Sequence, residues 1–336
     1  MRNAVWTAED ENEEQSVPRV SICVPTYNSA RYLGETLESA LAQEFDDFEL
    51  VVCDNASTDG TPELCSRYSD PRLRYVRFES LVGQAANWNR CLELAQGEFI
   101  TLLHGDDLLA PQYLAKAVPL LDQHPQAGML FCCAEHFDSD GNHLSYQRAY
   151  SQDHLGEGDE LAKRLLLEGC IVNPAGVLVR RSLYQNVGEF TDKIVWGVDW
   201  HMWTRLALQA PFAYLSEPLS RYREHGQSGT SGVMATARNG QDERWMLADL
   251  FTQLPADRRE LLALREAAAR ASAHRTWCFA EAMCLEGFPK AARAQLRAAF
   301  LASPAILTKP RFWALGAATF LGYKWFRRTL QLRTSR

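Results

Sequence analysis

Residues 20–62 read VSICVPTYNSARYLGETLESALAQEFDDFELVVCDNASTDGTP, and this pattern indicates the class of fold. An apolar, β-branched run is followed by residues with helical spacing and then by a second apolar run, which predicts strand, helix and strand. The alternation continues downstream. The predicted strands are residues 20–24, 48–53, 73–78 and 99–103. The chain is therefore predicted to be an α/β protein whose mostly parallel sheet carries helices on its faces.

Polar segments follow three of these predicted strands directly. Residues 25–28 (PTYN) follow the first strand, residues 54–60 (DNASTDG) the second and residues 104–107 (HGDD) the fourth. Ligands of open parallel sheets bind at the carboxyl ends of the strands. We therefore expect these three segments to contribute to one binding site.

Three aspartates in these segments are candidate ligand-binding residues. Asp106 and Asp107 offer hard carboxylate oxygens that suit Mg²⁺ or Mn²⁺, and such a metal would bridge the protein to a diphosphate. The alternative is that they cap the helix that Pro111 introduces. Asp54 ends an apolar strand, so it is either a hydrogen-bond partner of a nucleobase or ribose or simply the start of a turn.

Residues 196–203 (WGVDWHMW) place one carboxylate among aromatic side chains. Asp199 could accept the proton of a hydroxyl group, while Trp196 and Trp200 stack on the face of a sugar. Alternatively, Asp199 caps a helix and the tryptophans belong to the core. His225 is a metal ligand, a phosphate partner or a structural histidine.

The charge is unevenly distributed along the 336 residues, which carry a net charge of -7. Residues 1–17 are predicted to be a disordered acidic tail, and no acidic residue follows Glu286. The nine cysteines show no CxxC spacing, which indicates reduced thiols and a cytoplasmic protein. Without a GxGxxG motif a nicotinamide-dependent dehydrogenase is disfavoured, and the acidic balance argues against nucleic acid as a partner.

The end of the chain mixes large aromatic and basic side chains. Residues 309–328 have the composition of a helix in a membrane interface, with cations on anionic lipid. The alternative is a helix that packs on its own domain. The longest apolar stretch, residues 312–323, is too short to span a bilayer, which takes about 20 residues.

Several ordered motifs carry a resemblance to a known family. Residues 20–28 and 51–61 strongly resemble the opening of family 2 glycosyltransferases with the GT-A fold. The match continues through further segments as far as His225. These segments are residues 87–90, 97–100, 106–107, 173–176, 180–182 and 188–190, and Asp199.

The resemblance implies an inverting, metal-dependent transferase of the hexosyltransferase type that binds a nucleotide-sugar. It places the GT-A domain at residues 18–235, with the nucleotide-sugar half at 18–108 and the acceptor half at 109–235. Asp199 is the implied catalytic base, and the implied acceptor contacts are Trp196 and Trp200. The implied nucleotide-sugar contacts are Pro25, Thr26, Tyr27, Asn28, Asp54, Asn87, His104 and Asp106, and the implied ligands of Mn²⁺ or Mg²⁺ are Asp106 and His225.

Two positions depart from the pattern of the family. His104 stands where the family usually has the first acidic residue of Asp-x-Asp-Asp, and Val198 stands where a glutamate often precedes the base. These departures affect the ribose contact and leave a single carboxylate at the base position. One carboxylate suffices for one deprotonation.

The expected function is the transfer of a single sugar from a UDP-sugar to a glycan or lipid-linked acceptor in cell-surface polysaccharide synthesis. Repeated addition is disfavoured because the sequence predicts no membrane-spanning helix. Residues 236–336 are predicted to form a helical appendage. Within it, residues 241–245 (QDERW) match the Gln-x-x-Arg-Trp signature of processive polysaccharide synthases. A processive synthase and an inactive sugar- or nucleotide-binding module are the alternatives. Peripheral contact with the membrane is expected if residues 309–328 bind lipid.

Overall fold

The computed structural model describes residues 17–226, 233 and 236–321. The predicted acidic tail lies outside these residues except for Val17, and the predicted interface helix is described only as far as Leu321. The described part begins with the strand and helix alternation that the sequence predicts. The predicted α/β class with flanking helices is confirmed.

The described strands form one ten-stranded sheet in the order β3-β2-β1-β4-β9-β6-β10-β5, with β7 beside β6 and β8 beside β10. The pairs β1–β2, β2–β3 and β1–β4 are parallel. The strands β5, β7, β8 and β9 run antiparallel to the strands beside them. The strands are β1 (Val20–Thr26), β2 (Phe48–Asp54), β3 (Leu73–Arg77), β4 (Phe99–Leu102), β5 (Leu108–Leu109), β6 (Met129–Asp138), β7 (His143–Gln147), β8 (His154–Gly156), β9 (Val177–Arg180) and β10 (Phe212–Glu224).

The helices cover the faces of the sheet and make up the C-terminal part. Short 3₁₀ turns occur at Pro174–Gly176 and Pro304–Thr308. The α-helices of the described residues are α1 (Leu33–Leu41), α2 (Thr61–Cys65), α3 (Gln84–Leu94), α4 (Tyr113–Gln123), α5 (Gly158–Glu168), α6 (Arg181–Val187), α7 (Val198–Ala207), α8 (Arg238–Gln253), α9 (Arg259–Leu262), α10 (Arg265–Leu285), α11 (Pro289–Ala302) and α12 (Pro310–Leu321).

One alternative from the sequence is wrong. Asp106 and Asp107 do not cap a helix, because α4 begins at Tyr113 and its N-cap is Gln112. The strand β5 lies between the two aspartates and that helix. The carboxylates of the pair are therefore available for other contacts.

Alternation along the central strands divides the core into two layers. In β1, Ile22 and Val24 face one layer while Cys23 faces the other, and β2 repeats the pattern with Leu50 against Val51. All five side chains are fully buried. A strand that is covered on both faces reads as a continuous apolar run, which is why the sequence predicts these strands well.

The C-terminal helices are joined to the sheet domain through this core. Met246 and Leu250 of α8 belong to the same buried cluster as Trp200 and Trp203 of α7. Helices α10, α11 and α12 enclose a further small cluster. Within residues 17–226, 233 and 236–321, no helix is long and apolar enough to cross a membrane.

The first turn of α5 depends on a close backbone approach that only glycine permits. A Cβ atom on Gly158 would lie 1.8 Å from the carbonyl oxygen of Ala207 and 2.6 Å from that of Ala210. We predict that Gly158→Ala lowers the free energy of unfolding by about 2 kcal/mol or more, because backbone atoms must move. Urea denaturation measures the loss.

The matched control for this substitution is Gly83→Ala. Nothing lies within 4 Å of a Cβ atom at Gly83. As Gly83 is the N-cap of α3, we expect this variant to change the free energy of unfolding by only about 0.5 kcal/mol. Equal losses in the two variants would contradict the proposed close approach.

Candidate active site

A cleft of about 630 Å³ opens at the carboxyl ends of β1 and β4. From β1 the chain passes to β2 and β3 on one side and then crosses to β4 on the other side of β1, so the loops after β1 and β4 separate. Most of the predicted site residues reach the wall of this cleft. The predicted residues that line it are Pro25, Thr26, Tyr27, Asn87, His104, Asp106, Trp196, Asp199 and Trp200.

The loops after β1 and β2 are held together by Asn28, which does not line the cleft. Its backbone N–H donates to Ser57 Oγ at 2.9 Å, and its side-chain oxygen accepts from the N–H of Thr58 at 2.8 Å. Asn28 adopts a left-handed backbone with φ 51°, a conformation that asparagine tolerates. The structure therefore places Asn28 behind the wall of the cleft, where it shapes the loop.

Asp54 also lies outside the cleft lining. Its fully buried carboxylate accepts hydrogen bonds from the N–H of Ser57 at 2.9 Å and from the hydroxyl of Tyr75 at 2.5 Å, and Arg77 lies 3.6 Å away. These bonds occupy both carboxylate oxygens and close the turn after β2. The turn alternative describes this geometry, and the nucleotide contact of Asp54 stays a prediction.

Two buried polar atoms of the cleft wall have no hydrogen-bond partner among the described residues. They are the Thr26 hydroxyl oxygen and the Asn87 side-chain oxygen. Both residues are predicted nucleotide-sugar contacts that line the cleft. A buried polar atom without a partner costs free energy, so a ligand that bonds to these atoms would recover it.

His104 lines the cleft. Its ring stacks on Trp88, with ring centroids 5.0 Å apart and planes at 21°. Burial lowers the pKa of the His104 imidazole, although Asp106 and Asp199 act in the opposite direction. His104, Asp106 and Asp199 all line this one cleft.

The two predicted metal ligands, Asp106 and His225, contact each other. His225 Nε2 lies 2.9 Å from Asp106 Oδ2, although the two residues are 119 positions apart. Arg223 fixes this junction, because its Nε donates to the Asp106 carbonyl oxygen at 3.0 Å and its backbone N–H donates to Asp107 at 3.0 Å. Burial raises the pKa of Asp107 well above its ordinary value, and Asp106 raises it further.

The donor set at Asp106 and His225 fits a divalent cation that also binds phosphate. One carboxylate and one imidazole converge beside the cleft, where Asp106 is partly exposed. Among the described residues, no group of three or more His, Cys, Asp or Glu could hold a metal ion. The remaining positions around a cation would then belong to phosphate oxygens and water, which is the usual arrangement for Mg²⁺ in nucleotide sites.

Asp199 lies in the first turn of α7, two residues after Gly197. Gly197 is the N-cap and has the left-handed φ of 74°, which brings the start of the helix to the cleft. Burial raises the pKa of the Asp199 carboxyl, while the N–H of Trp200 and the nearby His104 partly oppose this rise. A raised pKa makes the ionised carboxylate a stronger base.

The two predicted acceptor tryptophans have different surroundings. Trp200 lines the cleft but is almost fully buried, and it donates its indole N–H to the Leu165 carbonyl oxygen at 3.1 Å. Trp196 is half-buried and packs edge-on against Trp200, with centroids 5.8 Å apart. The core alternative therefore holds for Trp200, whereas Trp196 offers a larger aromatic surface to the cleft.

Some residues of the cleft were not selected from the sequence. Asn55 lines the cleft and is tied to Val82 by a reciprocal pair of 2.9 Å bonds, which also brings the loop at Val82 to the wall. Arg223, which bonds to the backbone of Asp106 beside the cleft, was not selected from the sequence either. No periodicity marks either role, because both depend on contacts between distant segments.

The Gln-x-x-Arg-Trp signature does not face the cleft. Gln241, Arg244 and Trp245 of α8 are exposed and do not line it. The buried residues of the segment are Asp242 and Glu243. The segment therefore forms part of an amphipathic helix, with two residues toward the core and three toward solvent.

Solved structures share the fold of this chain. TarS of S. aureus, residues 1–349, solved in complex with UDP-GlcNAc, superposes with a TM-score of 0.65 over 94% of this chain and 92% of that chain, at 20% identity. Mannosyltransferase PcManGT of Pyrobaculum calidifontis, in complex with GDP-Man and Mn²⁺, has a TM-score of 0.54 over 96% and 89%, at 21% identity. At these identities the likeness shows the fold, which is the predicted GT-A fold.

The sequence comparisons add the family. The model of glycosyl transferase family 2 matches residues 21–188. The uncharacterized protein MT1568 of Mycobacterium tuberculosis is 32% identical over 248 residues, which are 69% of this chain and 76% of the relative. The uncharacterized glycosyltransferase MJ1057 of Methanocaldococcus jannaschii is 26% identical over 62% of this chain and 72% of its own length. The chain belongs to glycosyl transferase family 2, as its motifs predict.

The raised pKa of Asp199 has a consequence for stability. We predict that Asp199→Asn raises the Tm near neutral pH, because the folded protein no longer holds a buried carboxylate charge. The gain should shrink as the pH falls through the raised pKa and vanish below the ordinary carboxyl range, where the wild-type group is protonated in both states. Differential scanning calorimetry across this pH range measures the effect.

The control for this experiment is Asp192→Asn. The Asp192 side chain is 77% exposed and lies near Lys193 only, at 3.7 Å. We expect its Tm to stay within about 1 °C of the wild type, since a solvated ion pair contributes little. A Tm of Asp199→Asn below that of Asp192→Asn near neutral pH would contradict the prediction.

Proposed function

We propose that this member of the family is an inverting glycosyltransferase that moves a single sugar from a UDP-sugar to a hydroxyl group of a glycan or lipid-linked acceptor in cell-surface polysaccharide synthesis. One observation carries the proposal. Asp106, bonded to His225, and Asp199 line the same cleft at the carboxyl ends of the strands. In this proposal Asp106 and His225 serve the leaving diphosphate, and Asp199 serves as the base for the acceptor hydroxyl group at the same site.

The donor nucleotide belongs on the side of β1 and the loop at residues 81–84. Thr26 and Asn87 supply the unpartnered polar atoms there, and Tyr27 supplies an exposed ring at the rim. Asp106 and His225 would hold Mn²⁺ or Mg²⁺ against the diphosphate. A divalent cation bound there supplies positive charge to the leaving nucleoside diphosphate, so no acid is required on that side.

The acceptor hydroxyl belongs beside Asp199. Asp199 takes the proton of the acceptor hydroxyl group while the hydroxyl oxygen forms a bond to the anomeric carbon. At the same time the bond from that carbon to the phosphate oxygen breaks. Attack from the face opposite the leaving group inverts the anomeric configuration. Trp196 offers the aromatic surface against which the acceptor sugar stacks.

Two solved relatives support the class of donor. TarS binds UDP-GlcNAc and PcManGT binds GDP-Man with Mn²⁺ in the structures described above. The higher TM-score of TarS favours UDP as the carrier. A single addition is favoured over processive synthesis because the residues of the Gln-x-x-Arg-Trp signature are exposed outside the cleft.

Thermal-shift measurements with UDP, GDP and their sugar conjugates, with and without Mn²⁺, test the donor site. We expect UDP with Mn²⁺ at 100 times its Kd to stabilise the wild type by about 2.7 kcal/mol. Asp106→Asn should lose this metal-dependent shift, and Asp199→Asn should keep it. With a responsive UDP-sugar and a panel of glycoside acceptors, Asp199→Asn should reduce transfer by at least about a hundredfold.

Asp192→Asn is the matched control for both aspartate variants, and it should retain nucleotide binding and transfer. Proton NMR of the product reports its anomeric configuration, which we expect to be opposite to that of the donor. The proposal fails if no nucleotide changes the Tm of the wild type, in which case an inactive module is the better description. Retention of configuration would refute the single displacement, and a ladder of products would favour processive synthesis.

We also propose that the C-terminal helix α12 contributes to contact with anionic membrane, where a lipid-linked acceptor would lie. Phe312, Leu315 and Ala318 pack into the C-terminal core, as the own-domain alternative predicts. Trp313 and Phe320 are 59% and 76% exposed, and their spacing of seven residues places them on the same side of the helix. Large aromatic side chains at such positions suit the headgroup region of a bilayer.

Co-sedimentation with vesicles tests the membrane contact. We expect the full chain to bind vesicles of phosphatidylglycerol and phosphatidylcholine, and the double variant Trp313→Ser, Phe320→Ser to bind at least about tenfold more weakly, because two aromatic side chains leave the interface. Leu144→Ser removes a comparably exposed apolar side chain from β7 and should leave binding unchanged. Equal binding of the wild type and the double variant would contradict the role of α12.

A further inference from the structure

Asp242 of α8 contacts the loop that carries the acceptor side of the cleft. Its Oδ2 atom accepts hydrogen bonds from the backbone N–H of Val195 at 2.9 Å and from that of Trp196 at 3.1 Å. The partners lie 47 and 46 residues away in the sequence. Asp242 lies within residues 241–245, the segment that matches the synthase signature. It contacts the backbone of residues 195 and 196, which line the cleft.

The surroundings of Asp242 make this contact a specific one. The side chain is buried, and its other oxygen, Oδ1, accepts from Arg238 Nε at 2.6 Å. A buried carboxylate requires hydrogen bonds to compensate for its lost hydration, and here one charged donor and two backbone donors supply them. The loop is consequently bound to α8 by a charge-assisted pair of hydrogen bonds.

The bonded loop leads directly into the helix that presents Asp199. Trp196 is followed by Gly197, the left-handed N-cap of α7, and Asp199 lies in the first turn. Met246 of α8 packs beside the same point, since its Sδ atom is 3.9 Å from a Cβ built on Gly197. The position of the carboxylate in the cleft therefore depends on how this short loop is held.

The neighbouring acidic residue does not share this role. Glu243 is also buried on α8, but its carboxylate pairs with Arg275 of α10. Arg275 also donates to the Leu167 carbonyl oxygen at 2.8 Å, and its guanidinium lies over Trp200. Of the two, only Asp242 bonds to the backbone of the loop.

We propose that Asp242 is a positioning residue for the transfer reaction. It holds Trp196 in position for the acceptor and fixes the position of Asp199. The inference rests on the proposed function. Asp242 does not touch either substrate. It acts through the two backbone hydrogen bonds, so the C-terminal helices take part in building the acceptor side of the active site.

Hydrogen–deuterium exchange of the full chain tests the contact without reference to activity. In Asp242→Ala we expect the amides of Val195 and Trp196 to exchange at least about tenfold faster, because they lose their acceptor. Asp242→Asn keeps one oxygen that can accept both bonds and should restore most of the protection. Asp242→Ser serves as the second truncation if the alanine variant does not fold.

Steady-state release of UDP from the responsive UDP-sugar tests the positioning. We expect Asp242→Ala to lower kcat at least about tenfold while the Kd of UDP with Mn²⁺ changes less than about twofold, since the donor side is untouched. Asp242→Asn should recover most of the kcat. A merely structural loss would instead lower the Tm and weaken donor binding together with kcat, and that result would overturn the inference.

Arg238→Ala is the matched control, because it removes the ion pair and the long 3.5 Å bond to the Lys193 carbonyl oxygen but leaves the two bonds that Asp242 accepts from the backbone of Val195 and Trp196. We expect loop protection and kcat close to the wild type. An equal fall of kcat in Arg238→Ala and Asp242→Ala would overturn the inference, as would unchanged amide exchange or unchanged kcat in Asp242→Ala. If the wild type releases no nucleotide from any donor, the proposed function fails, whereas the exchange experiment still reports on the contact.

Discussion

Burial of β1 on both faces is the constraint on which the rest of the structure depends. Its side chains face two apolar layers, and its backbone bonds to β2 on one side and to β4 on the other. A strand in this position cannot be shifted by one residue without exchanging the two layers. The carboxyl ends of β1 and β4 are thereby fixed beside each other, and the loops that leave them in different directions form the cleft.

The second half of the chain completes the site by returning to this fixed edge. Strand β10 runs parallel to β6 and delivers Arg223 and His225 to the loop after β4. Arg223 bonds to the backbone of Asp106 and, through its own N–H, to Asp107, so the carboxylate of Asp106 is held from behind. The candidate metal ligands are therefore supported by a pairing of strands and not only by the loop itself.

The C-terminal helices are part of the same construction. Helix α8 shares its buried face with α7, and its Asp242 binds the loop before Asp199. The acceptor side thus depends on helices that follow the region matched by the family model, which ends at residue 188.

The sequence by itself determined the α/β class, the first four strands and the family, because buried parallel strands read as apolar runs and the turn residues after them are locally encoded. It also predicted that Thr26 and Asp106 lie at the cleft because they stand at strand ends, whereas Asn87 and Asp199 entered the prediction through the family resemblance. The tertiary structure alone decided that the second oxygen of Asp54 accepts a hydrogen bond from Tyr75, since this donor lies 21 residues away on β3. It likewise decided the contact of Asp242 with the acceptor loop, because a hydrogen bond between segments 47 residues apart leaves no periodic signal in either one.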